Sequence, residues 1–185
     1  SIFLDYFSIL IINYYLSPLM AFTIYFCFLH STRHGITLMH ELDENDLKNI
    51  IHSCSLLGIR LIVFPLVDEG SIENDIQEKV LKDELNSLVS LLKETNTVIC
   101  FESDFGPERL LNFIEQFAST CFGINYDIGN SASLGYLPRE EITLYGHRIM
   151  NVHVKDRILH GTTVPLGEGN ADIPAALESL MQTGY

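Results

Sequence analysis

VICFESDFGPERLLNFIEQFASTCFGINYD, residues 98–127, spells out a strand, a helix and a second strand in succession. VICFE (98–102) and GINYD (123–127) are short apolar runs that end on a carboxylate. Runs of that length and character suit strands of a parallel sheet, which are buried on both faces. Between them Pro107 opens a helix at its favoured first position, where its missing N–H would have no intrahelical partner anyway.

The same alternation extends in both directions. Upstream, Leu47, Ile50, Ile51, Cys54 and Leu57 recur at helical spacing, with Asp43 as the expected N-cap and Gly58 as the stop. Arg60 to Leu66 (RLIVFPL) then reads as another buried strand, and Asp68 to Asn74 as a polar loop. One long amphipathic helix is predicted next, with Ile72, Ile76, Val80, Leu85, Leu88, Val89 and Leu92 on one face. Downstream, Pro138 opens a short helix, Ile149 to Lys155 (IMNVHVK) forms a strand, and Asp172 caps a last helix. This β-α-β-α-β-α-β-α order implies an α/β fold, a parallel sheet with helices outside it.

With residues 1–7 (SIFLDYF) as a strand, the chain offers about five strands, whereas a closed (β/α) barrel has eight and typically ~250 residues. On alternation alone, an open doubly wound sheet fits about as well. No glycine-rich phosphate loop of Rossmann or P-loop type follows any strand, which counts against it.

Composition narrows the class. The 185 residues are 47% hydrophobic and 19% charged, which is globular rather than disordered. A net charge of −13 argues against a general nucleic-acid binder, though not against a small anionic substrate held by a few local donors. Cys27, Cys54, Cys100 and Cys121 form no C-x-x-C pair and sit among apolar neighbours, as buried reduced thiols of a cytoplasmic protein would. Residues 6–29 carry no charge and are long enough to span a bilayer, but Asn13, Ser17 and Pro18 interrupt them and no basic region precedes them. A buried or mis-assembled segment is the expected state, with membrane tethering as the alternative.

Polar residues gather at the C-terminal ends of the strands: Glu102 ends VICFE, Asp127 ends GINYD, and His153 lies near the end of IMNVHVK. Parallel strands bring these ends to one rim, where such folds keep their active sites. Two carboxylates and an imidazole there make an oxygen/nitrogen ligand set suited to Mn²⁺, Mg²⁺, Co²⁺ or Zn²⁺. The plainer reading is that each meets solvent or a helix N-terminus.

Four segments carry a resemblance: GIRLIVFPLVDEGSI (58–72), NYDIGNSASLGY (125–136), NVHVKDR (151–157) and TVPLGEGNADI (163–173). Together they resemble the sugar phosphate isomerase/epimerase family, of the xylose isomerase-like TIM barrel superfamily, over residues ~40 to 185. The resemblance implies a division into an incomplete barrel, 40–185, and an atypical hydrophobic segment, 1–39. In the latter, 1–7 resembles a family strand and 8–39 resembles nothing in the family, as an insertion or a translated non-coding stretch would. The first two strands and the last strand are expected to be missing.

The resemblance also implies roles. Glu102, Asp127 and His153 match three of the four ligands of a divalent metal, with Glu102 also acting as the catalytic base. Asn130, Lys155, Arg157 and Glu168 match positions suited to a sugar or sugar phosphate. Gly167-Glu168-Gly169 would form a tight loop whose N–H groups approach an anion, while His147 and His160 are expected on the surface. Isomerisation or epimerisation would proceed through a metal-stabilised enediolate, hampered here because the second base belongs to the missing strand. A small-molecule sugar partner is expected, with neither nucleic acid nor membrane, and self-association is left open. The competing functions are a non-catalytic or membrane-tethered fragment and an abasic-site endonuclease, which shares the barrel and a metal site.

Overall fold

The computed structural model describes residues 44–67 and 70–185. Its elements in chain order begin with α1 (Glu44–Leu56), β1 (Leu61–Leu66), α2 (Asp75–Ser87), α3 (Val89–Thr95), β2 (Val98–Ser103), α4 (Pro107–Ile114) and β3 (Phe122–Asp127). They continue with α5 (Ile128–Ser133), α6 (Pro138–Tyr145), β4 (Ile149–His153), β5 (Asp156–Arg157), β6 (Thr163–Val164) and α7 (Ile173–Thr183). β1 to β4 form one sheet in sequential order, every neighbouring pair parallel. The expected segments 1–7, 6–29 and 8–39, the Asp43 cap and Cys27 lie outside the described residues. Among those described, no helix is long and apolar enough to cross a membrane.

Strand alternation sorts side chains onto two faces. Phe64, Phe101 and Phe122 share the face that packs on α4. There Phe101 meets Phe113 with ring centroids 5.2 Å apart, and Phe113 meets Phe117 at 5.0 Å, both edge-on or nearly so. Burying each such ring is worth roughly 1.5–3 kcal/mol, so this cluster fastens α4 to the sheet. The opposite face carries Cys100 and Glu102 of β2 and Asn125 and Asp127 of β3.

β4 joins that polar face through a break in register. Ile124 pairs with Ile149, but Asn125 pairs with Asn151, so Met150 is the extra residue of a bulge. Its side chain folds over Gly123, where any Cβ would stand 2.5 Å from Met150 Cγ. Without the bulge Val152 would lie beside Asp127; with it, His153 does.

The single long helix expected after the polar loop is two helices, α2 and α3, joined at Leu88. Leu85, Leu88 and Leu92 are buried, but Ile76 and Val80 are 77% and 51% exposed. At about 100° per residue Ile76 lies opposite Leu85, so the two sets cannot share a face. Ile72 is buried but precedes the Asn74 cap. The other expected caps hold: Pro107 and Pro138 open α4 and α6, and the Asp172 carboxylate accepts from Ala175 N at 3.0 Å.

After β4 the chain forms the small antiparallel ribbon of β5 and β6. The loop 167–171 folds back on β5, and its backbone N–H groups do meet an anion, but an internal one. Gly167 N and Gly169 N both donate to Asp156 Oδ2, and Ala171 N to Oδ1, each at 2.9 Å. The Ala171 N–H, followed by those of Gly169, Gly167 and Arg157, holds the Asp156 carboxyl below the usual range. A Cβ on Gly169 would collide with the Asp156 carboxylate and stand 2.7 Å from the Arg157 carbonyl oxygen. Gly169→Ala is therefore expected to cost roughly 1–3 kcal/mol through overpacking. Urea unfolding followed by circular dichroism checks this, and an unchanged midpoint would count against the clasp.

Candidate metal centre

Each of the three strand-end residues is placed by its own strand. Glu102 is the next-to-last residue of β2, and Asp127 and His153 are the last of β3 and β4. One ligand atom from each lies within 4.8 Å of the others. His153 Nδ1 stands 3.1 Å from Glu102 Oε2 and 3.5 Å from Asp127 Oδ2. Both carboxylates are buried, Glu102 to 6% and Asp127 to 5% exposure.

Asp127 serves two purposes. Its Oδ1 caps α5 by accepting from Asn130 N at 2.8 Å. Its Oδ2 is buried and takes no hydrogen bond from a neutral donor among the described residues; the Lys155 ammonium at 2.8 Å and the His153 ring are its partners. Burial pushes the Asp127 carboxyl up, and the bonds to His153, Lys155 and the Asn130 N–H outweigh it, leaving it below the usual range. A buried carboxylate oxygen held only by cations, beside a second carboxylate and an imidazole, fits a divalent ion.

Asn130 Nδ2 donates to Glu102 Oε1 at 2.7 Å, while its Oδ1 accepts from Arg157 Nη1 at 2.8 Å. Arg157 also reaches the Gly161 carbonyl through Nη2 at 2.8 Å. Asn130, Lys155 and Arg157 thus ring the cluster. Glu168 is exposed and forms no side-chain bond to it. The surface placement expected of His147 and His160 holds.

Two residues went unread in the sequence. Asn125 Nδ2 donates to Glu102 Oε2 at 2.8 Å and lies 3.1 Å from His153 Nδ1, and Asn125 Oδ1 accepts from Asn151 Nδ2 at 2.6 Å. The signal was available: each asparagine stands two residues before a candidate ligand, hence on the same face of its strand. The other ring nitrogen of His153 has no hydrogen-bond partner among the described residues.

Parallel strands in sequential order with flanking helices, and a polar cluster at their C-terminal ends, make this part of a (β/α) barrel. The chain belongs to the xylose isomerase-like TIM barrel family, whose sequence profile matches residues 19–185. Among solved structures it is similar to a xylose isomerase domain protein from Planctomyces limnophilus, at 22% identity and a TM-score of 0.66, covering 77% of this chain and 54% of that one. It is also similar to a D-tagatose 3-epimerase-like protein, at 20% identity and a TM-score of 0.65, covering 83% and 62%. A third is the IolI protein with a bound zinc atom, at 22% identity and a TM-score of 0.63, covering 76% and 56%. The chain thus spans little more than half the length of these structures. No curated protein matches it significantly.

Hydrogen bonds to Asp127 first, and Glu102 second, raise the His153 pKa to about 9. Glu102 is nearer, but Asp127 is the more deeply buried partner. In the metal-free chain, the stability this imidazolium contributes is full below its unfolded pKa of ~6.5 and is lost as pH rises through about 9. NMR titration of the His153 ring protons is expected to give a midpoint of about 9, falling in Asp127→Asn. A midpoint near the ordinary histidine value in the parent chain would contradict the geometry.

Proposed function

We propose that this chain is the metal-binding portion of a divalent-metal-dependent isomerase or epimerase acting on a sugar or sugar phosphate. The observation that carries the reading is the convergence of Glu102, Asp127 and His153 within 4.8 Å at the C-terminal ends of three adjacent strands. The xylose isomerase domain and epimerase-like structures the fold resembles support it, as does the zinc in the IolI structure, which it also resembles. The barrel portion is assigned to residues 40–185 and residues 1–39 to a separate segment. The buried, unpaired Cys54, Cys100 and Cys121 support a reducing, cytoplasmic setting.

Glu102, Asp127 and His153 would hold Mn²⁺, Mg²⁺, Co²⁺ or Zn²⁺. When bound, such an ion polarises a substrate carbonyl and stabilises the negative oxygen of an enediolate. Glu102 is assigned the base that takes the carbon-bound proton beside that carbonyl. Asn125 and Asn130 hold one Glu102 oxygen each, which fixes the direction in which the carboxylate points. Lys155 and Arg157 supply positive charge at the rim for hydroxyls or a phosphate, with Asn130 as a further polar contact. Glu168 would reach substrate only if the 167–171 loop moves.

Titration calorimetry with Mn²⁺ or Zn²⁺ tests the ligand assignment. The parent chain is expected to bind one ion, and Asp127→Ala to lose that binding. Equal affinity in Asp127→Ala and the parent would overturn the assignment. Exchange of the carbon-bound proton of a ketose with deuterated solvent tests the base, because a single carboxylate suffices for that half-reaction. Glu102→Gln is expected to remove any exchange the parent supports.

A further inference from the structure

A further buried carboxylate lies on the other side of β3, and the metal centre does not use it. Glu141 of α6 is 3% exposed. Its Oε1 accepts from Tyr145 O–H at 2.6 Å. Its Oε2 accepts from Tyr126 O–H at 3.0 Å and from the Ser131 hydroxyl. Three neutral donors from three elements, β3, α5 and α6, converge on one carboxylate, with no cation among the partners. Burial raises its pKa above the usual range despite the three donors.

The positions of two of those donors matter. Tyr126 immediately precedes Asp127, and Ser131 immediately follows Asn130. The stretch between them, residues 127–130, holds the Asp127 cap, the Asn130 amide bound to Glu102, and Gly129, where a Cβ would stand 2.5 Å from Lys155 Cγ. Both carboxylate clusters also border one small pocket, lined among others by Glu102, Asn125, Tyr126, Asp127, Asn130 and Glu141.

We infer that Glu141 is a positioning residue for the metal centre: its carboxylate ties down both ends of the 127–130 turn, so that Asp127 and Asn130 meet Glu102 in one geometry. This rests on the metal-site reading above. Neither tie touches a ligand directly. Tyr126 O–H fixes the strand end by holding its outward side chain, and the Ser131 hydroxyl fixes the first turn of α5. Removing the carboxylate leaves three buried hydroxyls to find other partners, and the turn between them gains freedom.

The test uses the full chain and two readouts. The first is Mn²⁺ affinity by calorimetry; the second is amide hydrogen exchange of Asn130 N–H in the metal-free chain, which reports the Asp127–Asn130 bond. Glu141→Ala is expected to weaken Mn²⁺ binding by about 10- to 100-fold, as loss of groups that support metal ligands does. It is also expected to remove Asn130 protection while β1 and β2 amides keep theirs. Glu141→Gln, which retains one acceptor oxygen, should recover most of both. Ser131→Ala severs one tie and should give a smaller change, readable even if Glu141→Ala does not fold. Phe113→Leu in the distant aromatic cluster serves as the control for lost stability alone, and should leave Mn²⁺ affinity unchanged. Parent-like Asn130 protection in Glu141→Ala, or in Ser131→Ala where the alanine variant does not fold, would overturn the inference. So would Phe113→Leu weakening Mn²⁺ binding as much at equal loss of Tm. A parent chain that binds no Mn²⁺ would sink the metal-site reading instead, and Asn130 protection would then decide the clamp by itself.

Discussion

Two carboxylates, Glu102 and Asp127, are buried side by side at the mouth of the sheet. At such separations two like charges repel by about 3 to 4 kcal/mol at an effective dielectric near 20, before either loses its hydration. The surrounding groups are arranged to answer this. His153 sits against both, Lys155 lies on Asp127, and neutral amides from Asn125 and Asn130 cover Glu102. Glu102 is thus held by two amide dipoles and the His153 ring, and Asp127 by that ring, the Asn130 N–H and a cation that can move on a long stem. A divalent ion entering this site would need to displace only the Lys155 ammonium and a proton. The amide bonds that aim Glu102 could remain.

That arrangement depends on strand register. Side chains change face with every residue, so the candidate metal cluster forms only if β2, β3 and β4 present the right parity at the rim. β2 and β3 pair without interruption as far as Phe101 and Ile124. β4 needs the Met150 bulge, which moves His153 from beside Ile128 to beside Asp127, and Gly123 leaves room for the Met150 side chain. The same shift sets Asn151 beside Asn125 and completes a hydrogen-bonded row from β4 to Glu102 on β2. The polar face is therefore continuous across three strands, while Phe101 and Phe122 on the other face join the apolar core.

The strands and the candidate ligands were legible in the sequence because both follow from local rules. Apolar runs of strand length ending on Glu, Asp or His need no tertiary information once the sheet is parallel. The four strand segments of the reading match the observed ones to within two residues. What escaped depends on geometry that composition does not record. Nothing in IMNVHVK marks Met150 as the bulged residue. The division at Leu88 was hidden because Ile76 and Leu85 are both apolar, although nine residues place them half a turn apart. The Gly167–Gly169 loop was read as an anion site, and its backbone does bind one; the anion is Asp156, eleven residues earlier in the chain. α5 was missed because Asp127, read as a ligand, is also that helix's cap.

β3 is the hinge between two polar systems of different character. Asn125 and Asp127 point to one face, into a cluster neutralised by cations; Tyr126 points to the other, into a cluster of hydroxyls around Glu141. The first has an oxygen met only by the Lys155 ammonium and the His153 ring, and the second has its carboxylate bonded through both oxygens to neutral hydroxyls. A fully bonded buried network gains nothing from a ligand and serves to hold its members in place. A cluster whose carboxylate oxygen is met only by displaceable cations is poised to take a ligand, because an incoming divalent ion can take their place. Setting the two back to back on adjacent residues lets rigidity on one face define the shape of an open site on the other.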